Sequence, residues 1–169
     1  MYSKALLPIL ASLPIALGAT LAEVLSSNHD LSTLNTIVGQ FPALTANLSG
    51  TLFAPTNEAL ERFIASAGGL NALTPADITN VLTYHVVPAV VRSTDVTKPG
   101  GAIAPTALNN WTYANLDGSA NVIFASAYGS TGVENQSSGL KVYSGVGEPA
   151  TVTQGDIDFD GGVVHIIDQ

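Results

Sequence analysis

Three imidazoles, His29, His85 and His165, with thirteen carboxylates and no cysteine, make up most of the reactive inventory of this 169-residue chain. The missing thiols remove cysteine nucleophiles and cysteine-held zinc. No Gly-x-Ser-x-Gly turn and no His-Glu-x-x-His run occurs, and the glycine pairs lack the lysine and helix of a phosphate loop. The run Asp156-Ile-Asp-Phe-Asp160-Gly161 imitates the opening of a calcium loop. Its twelfth position, however, is Ile167 where a bidentate Glu belongs, and Asp168 falls one residue late. An acidic turn is the expectation there, with no metal and no cofactor, and the inventory as a whole points away from an enzyme.

Two polar pairs remain. Thr56-Asn57 follows Ala54-Pro55, and Tyr84-His85 falls where a helical pattern gives way to a β-branched one. Polar aromatics at such a joint either find partners inside the fold, through the phenol and a ring nitrogen, or meet a binding partner directly. The expectation is a hydrogen bond from Tyr84 or His85 to the Thr56/Asn57 corner. His165, in an alternating run, carries the same structural reading.

The elements that must position these residues follow from local pattern. Thr51 to Phe53 is a short β-prone run stopped by Pro55, after which Thr56 caps a helix with Glu58 in its first turn and Ala59, Leu60, Phe63 and Ile64 on one face. Before it, Thr20-Leu-Ala-Glu23 has the capping-box pattern, and Asp30 is placed to cap a second helix carrying Leu31, Leu34, Ile37 and Val38. After it, Thr74-Pro-Ala-Asp77 starts another helix. His85 to Val91 reads as a strand, with Pro88 confining it to an edge or bulge. From Ser93 the pattern is β, with turns at Gly100-Gly101 and Asn109-Asn110. Strands are expected at Trp111 to Ala114, Val122 to Ala127, Leu140 to Tyr143, Thr151 to Thr153 and Val163 to Ile167, with an exposed loop from Gly129 to Gly139. Helices lead and strands follow, which argues for an α+β domain.

Composition bounds the partners. Hydrophobic residues make up 46% of the chain and charged ones 11%, enough for a packed core. Five Lys+Arg against thirteen Asp+Glu give a net charge of −8, which disfavours nucleic acid and anionic membrane surfaces. Lys4, the apolar stretch Ala5 to Leu17 and the small residues at Gly18-Ala19 read as a secretion signal over residues 1–18, too short and interrupted to span a bilayer. Behind it, Asn47, Asn110 and Asn135 each open an Asn-x-Ser/Thr acceptor site for glycosylation.

Three blocks carry a resemblance: Thr51-Leu-Phe-Ala-Pro-Thr-Asn-Glu-Ala-Leu60, Asn80-Val-Leu-Thr-Tyr-His-Val-Val87 and Gly162-Val-Val-His-Ile-Ile-Asp168. In order and spacing they resemble the fasciclin domain, and a cysteine-free secreted chain of this kind looks most like its fungal members. The resemblance covers residues 19–169 as a single domain. It implies a wedge-shaped β-sandwich-like core with a layer of N-terminal helices, no catalysis, and adhesion at a cell surface or in a cell wall. Protein or glycan partners would be met outside the cell through exposed faces, with Tyr84 and His85 as the binding pair. Thr56, Asn57, Gly162, His165 and Asp168 would be the structural motif. Gly161-Gly162 replaces the Asn-Gly that usually opens the last box. The chain also stops at Gln169, where members continue into a further apolar strand, so truncation before that strand is an expectation. The rival reading is a carrier that holds a small apolar ligand or glycan fragment between sheet and helices.

Overall fold

The structure, a computed structural model, describes residues 18–45, 48–96, 101–109, 119–127, 139–144 and 149–169. The expected strand at Trp111 to Ala114, most of the loop from Gly129 to Gly139 and the three expected glycosylation residues Asn47, Asn110 and Asn135 lie outside the described residues, as do residues 1–17 of the expected leader.

Helices α1 (Leu21–Ser27), α2 (Ser32–Gly39) and α3 (Pro42–Thr45) lead into strand β1 (Gly50–Pro55) and helix α4 (Asn57–Ser66). Helix α5 (Pro75–Tyr84) feeds β2 (Val86–Val87) and a short α6 (Ser93–Val96). Then come β3 (Ala102–Pro105), β4 (Val122–Ser126), β5 (Lys141–Tyr143), β6 (Ala150–Phe159) and β7 (Gly162–Ile167). The caps read from sequence at Thr20, Thr56 and Thr74 form, and the first and last are reciprocal capping boxes with Glu23 and Asp77. Asp30 does not cap. Asn28 accepts from Asp30 N–H instead, because a 3₁₀ turn from His29 to Leu31 precedes α2 and moves the cap back to its own start.

Among the described residues, seven strands form one mixed sheet in the order β2-β1-β7-β6-β5-β4-β3, with β1 parallel to β7 and every other pairing antiparallel. The long β6 joins two halves. Its first residues pair with β5, and from Val152 onward it pairs with β7 through two register shifts. Such shifts bend a strand, so the sheet turns back towards itself as a sandwich-like wedge.

Both faces of β1 and β7 are buried, and their alternation sorts the core. Leu52, Ala54, Val164 and Ile166 join Leu25, Leu31, Leu34 and Leu60 beneath the helical layer. Phe53 and Ile167 point the other way and pack with Val87, Ala104, Ile123, Val142 and Ala150 between the two halves of the sheet. The architecture is thus α+β, a wedge with helices on one side.

Three local readings change. Only Val86–Val87 of the expected 85–91 strand pairs, at the sheet edge that Pro88 tolerates. Ser93 opens a helical turn where β was expected, because the Asp156 carboxylate from another strand holds it. The acidic run Asp156 to Asp160 belongs mostly to β6, with only the turn at Asp160 and Gly161 separating it from β7. Strand β3 just after Gly101 carries no pattern that sequence could show.

Candidate functional site

Strand β1 lies between β2 and β7, so the first block sits directly between the other two. Phe53 N–H donates to the His85 carbonyl (2.9 Å), and Thr56 N–H donates to the Ile167 carbonyl (2.9 Å). Gly162 faces Gly50 across the parallel ladder, where a Cβ would stand 1.8 Å from the Gly50 carbonyl oxygen. Only glycine permits that approach.

The corner works through side chains as well. Thr56 Oγ1 accepts from Ala59 N–H at the start of α4. Asn57 accepts from Thr33 N–H (2.8 Å) and donates to the His29 carbonyl and to Ser32 Oγ, both at 3.0 Å, which ties α4 to the start of α2. Asp168 closes the other end. Its Oδ1 accepts from Thr151 N–H (2.7 Å), and its carbonyl accepts from the Arg62 guanidinium.

The side-chain bond expected from Tyr84 or His85 to this corner does not form. His85 Nδ1 instead lies 2.7 Å from the Val81 carbonyl, one turn back in its own helix, which also accepts from the His85 backbone N–H (3.3 Å). That bond is made by a protonated Nδ1, leaving Nε2 as an acceptor. Burial pushes the His85 pKa down, with the Val81 bond offsetting part of the effect. Burial raises the Tyr84 phenol, against a hydrogen bond with the Ser144 side chain. The two rings meet edge to face at 5.8 Å.

His165 is the centre of a second arrangement. It is 0% exposed, stacks on Phe53 at 5.5 Å, donates from Nε2 to the Val91 carbonyl (2.8 Å) and accepts at Nδ1 from Asp156 N–H (3.2 Å). Asp156 adopts φ +57° in the bulged part of β6, a costly conformation for a non-glycine residue. Its carboxylate accepts from both N–H and Oγ of Ser93, and Arg92 pairs with Asp158 at 2.6 Å. Burial alone would raise the Asp156 carboxyl. Ser93, with His165 and Arg92, outweighs that and holds it below its usual range. Thr51, fully buried, donates to the Ala89 carbonyl (2.7 Å) and accepts from Val91 N–H (2.8 Å).

A serine, a carboxylate and a histidine therefore meet here, yet wired unlike a hydrolase. Ser93 Oγ donates to the carboxylate, and both imidazole nitrogens are occupied elsewhere, so no base reaches the hydroxyl. The cluster instead straps residues 89–93 onto β1, β6 and β7. Thr51, Arg92 and Ser93 were not singled out from sequence, since Ser93 and Asp156 are 63 positions apart and no local pattern links them. Among the described residues, no group of three or more His, Asp or Glu is placed to hold a metal ion.

Three sequence-distant blocks thus meet along one central strand of an α+β wedge. The chain belongs to the fasciclin domain family, whose sequence profile matches residues 19–169. Protein sll1483 of Synechocystis sp. (strain ATCC 27184 / PCC 6803 / Kazusa) is 31% identical over 158 residues, spanning 89% of this chain and 71% of that protein. Among solved structures, the FAS1 domain pair from the insect cell adhesion molecule Fasciclin I superposes with a TM-score of 0.61 at 20% identity. That match covers 85% of this chain and 45% of the solved chain, so this chain spans under half of it. The fold is the fasciclin fold, and the family is one of modules associated with cell adhesion. No helix among the described residues is long and apolar enough to cross a membrane.

Proposed function

We propose that this chain is a secreted, non-enzymatic adhesion module of the fungal type, led out by residues 1–18 and folded as one domain over 19–169. It is glycosylated at Asn47, Asn110 and Asn135 and works at the cell surface or in the cell wall, where exposed faces meet protein or glycan partners. The observation that carries this reading is the fasciclin match across the whole of 19–169. The inward wiring of His165, Asp156 and Ser93 supports it, because it leaves that trio no base for chemistry. Exposed apolar residues on adjoining strands, Ile103 (73%) on β3 and Val122 (47%) on β4, offer a face for weak contacts multiplied over many copies.

Attachment is the test. Beads coated with the folded protein should adhere to cell-wall-coated surfaces, and beads carrying the heat-unfolded protein should not; equal adhesion by both sinks the proposal. Sequencing the N-terminus of the protein recovered from culture medium checks the leader, with a start at Ala19 expected.

A second reading is the carrier of a small apolar ligand. It is favoured by one observation: an apolar groove of about 560 Å³ between α4 and α5, lined by Tyr84 and His85. Ligand sites of roughly 300–1,000 Å³ are ordinary for small molecules.

A further inference from the structure

Between β2 and α6 the chain leaves the sheet. Pro88, Ala89 and Val90 are exposed there, Val90 to 50%. The core grips this tip from both sides. The hydroxyl of Thr51, a fully buried residue, donates to the Ala89 carbonyl (2.7 Å) and accepts from Val91 N–H (2.8 Å). His165 Nε2 donates to the Val91 carbonyl (2.8 Å). Residues 89 and 91 thus turn their backbone groups inward, and in an extended chain that alternation faces the Val90 carbonyl outward. Just beyond, Asp156 holds Ser93 N–H (3.0 Å) from a backbone kept at φ +57°.

Two buried side chains and a strained aspartate therefore fix a stretch that lies in solvent, and backbone strain of this kind collects at recognition sites. An aliphatic residue carried outward on a backbone fixed from within loses little freedom on docking. The position of the bonds narrows the partner. Thr51 joins the residue before Val90 to the residue after it, so cutting the Val90–Val91 peptide would leave both pieces in place. Such a loop suits a protease that it blocks. A short valine fits the small specificity pocket of elastase better than the acidic pocket of trypsin or the larger slot of chymotrypsin. Arg92 is withdrawn from that role, because its guanidinium pairs with Asp158 and its carbonyl accepts from Asp95 N–H (2.9 Å).

We propose that residues 88–91 form an inhibitory loop for elastase-type serine proteases, with Val90 in the specificity pocket and Val90–Val91 as the bond offered to the nucleophile. The protease serine oxygen adds to the Val90 carbonyl, the C–N bond breaks, and the protease histidine passes the serine proton to the Val91 amine, leaving an acyl ester. Thr51 and His165 keep that amine beside the ester. It attacks in turn, the serine oxygen leaves with the returned proton, and the peptide is restored with the enzyme still occupied. The inference depends on neither the adhesion nor the carrier reading.

The test incubates the folded protein with pancreatic elastase and with trypsin, each assayed on a chromogenic peptide. Elastase should be inhibited competitively and trypsin should not. Val90→Lys, at an exposed position, should weaken elastase inhibition about thirtyfold or more and confer inhibition of trypsin. Thr51→Val keeps the branched shape but removes both bonds of the hydroxyl. Once circular dichroism shows it folded, elastase should cut it at Val90–Val91, seen by mass spectrometry, with inhibition fading as the cut proceeds. A native protein that leaves elastase active, or is merely digested at this bond, overturns the proposal. So does elastase inhibition unchanged in Val90→Lys, which decides alone if Thr51→Val does not fold. A folded Thr51→Val that inhibits as durably as the native protein refutes the clamp, and the argument with it.

Discussion

Replacing His165 by Ala removes an imidazole at the point where β7, the β6 bulge and the 89–93 segment meet. The ring is 0% exposed and both nitrogens are engaged, so the substitution strands the Val91 carbonyl and the Asp156 N–H in a part-buried site. Each orphaned group costs about 1–3 kcal/mol. Losing the stack on Phe53 adds about 0.5–1.5 kcal/mol, and partial collapse around the void recovers some of the total. A net loss of about 3–5 kcal/mol follows, a large share of the roughly 5–15 kcal/mol that holds a domain folded. Urea denaturation followed by circular dichroism would read it as a lowered midpoint at unchanged slope, with the melting temperature down by roughly 10 °C. His165→Gln, which returns one amide donor and one acceptor, should recover part of the loss. A His165→Ala domain within about 1 kcal/mol of the native stability would refute the reasoning, because at least one stranded backbone group would have to have found water or a new partner.

Gly162→Ala drives a methyl group into the Gly50 carbonyl, so the parallel β1–β7 pairing must open. A loss above about 3 kcal/mol and little soluble protein are expected, checked by expression yield and thermal melting. Asn57→Ala frees the Thr33 N–H and the Ser32 hydroxyl at a half-exposed corner, for a loss of about 1–2 kcal/mol in urea titration. The pH dependence has a defined sign. His85 in the folded state has its pKa below the ordinary 6.5, so between the two values the unfolded chain binds more protons. Its contribution is complete above pH 6.5 and is lost as pH falls through the folded value. The melting temperature of the native protein should therefore drop on acidification from pH 6.5, and His85→Gln should flatten that slope; an unaltered slope would remove His85 as its source.

The particular residues show where sequence suffices. Thr20 with Glu23 and Thr74 with Asp77 are three positions apart, and their capping boxes close within a single turn, so residue type alone decides them. The three blocks were likewise legible as sequence, and with them the α+β class and the family. The partners of His85 were misjudged because a carbonyl four residues back competes on equal terms with a hydroxyl across the fold, and only the packed helix end decides between them. The strand over Asp156 to Phe159 was hidden because its acidic pattern satisfies a turn as well as an edge; only the fold brings Arg92 to pair with Asp158 and Ser93 to donate to Asp156.

Sequence by itself determined the helix starts at Thr20, Thr56 and Thr74, the buried strand at Thr51 to Phe53 and the acidic balance, since each rests on residues within one turn or on a sum over the chain. Tertiary structure alone decided what His165 holds and that a groove opens beside Tyr84 and His85. Val91 lies 74 positions from His165, and no local propensity can express a hydrogen bond that exists only after the sheet has folded back on itself.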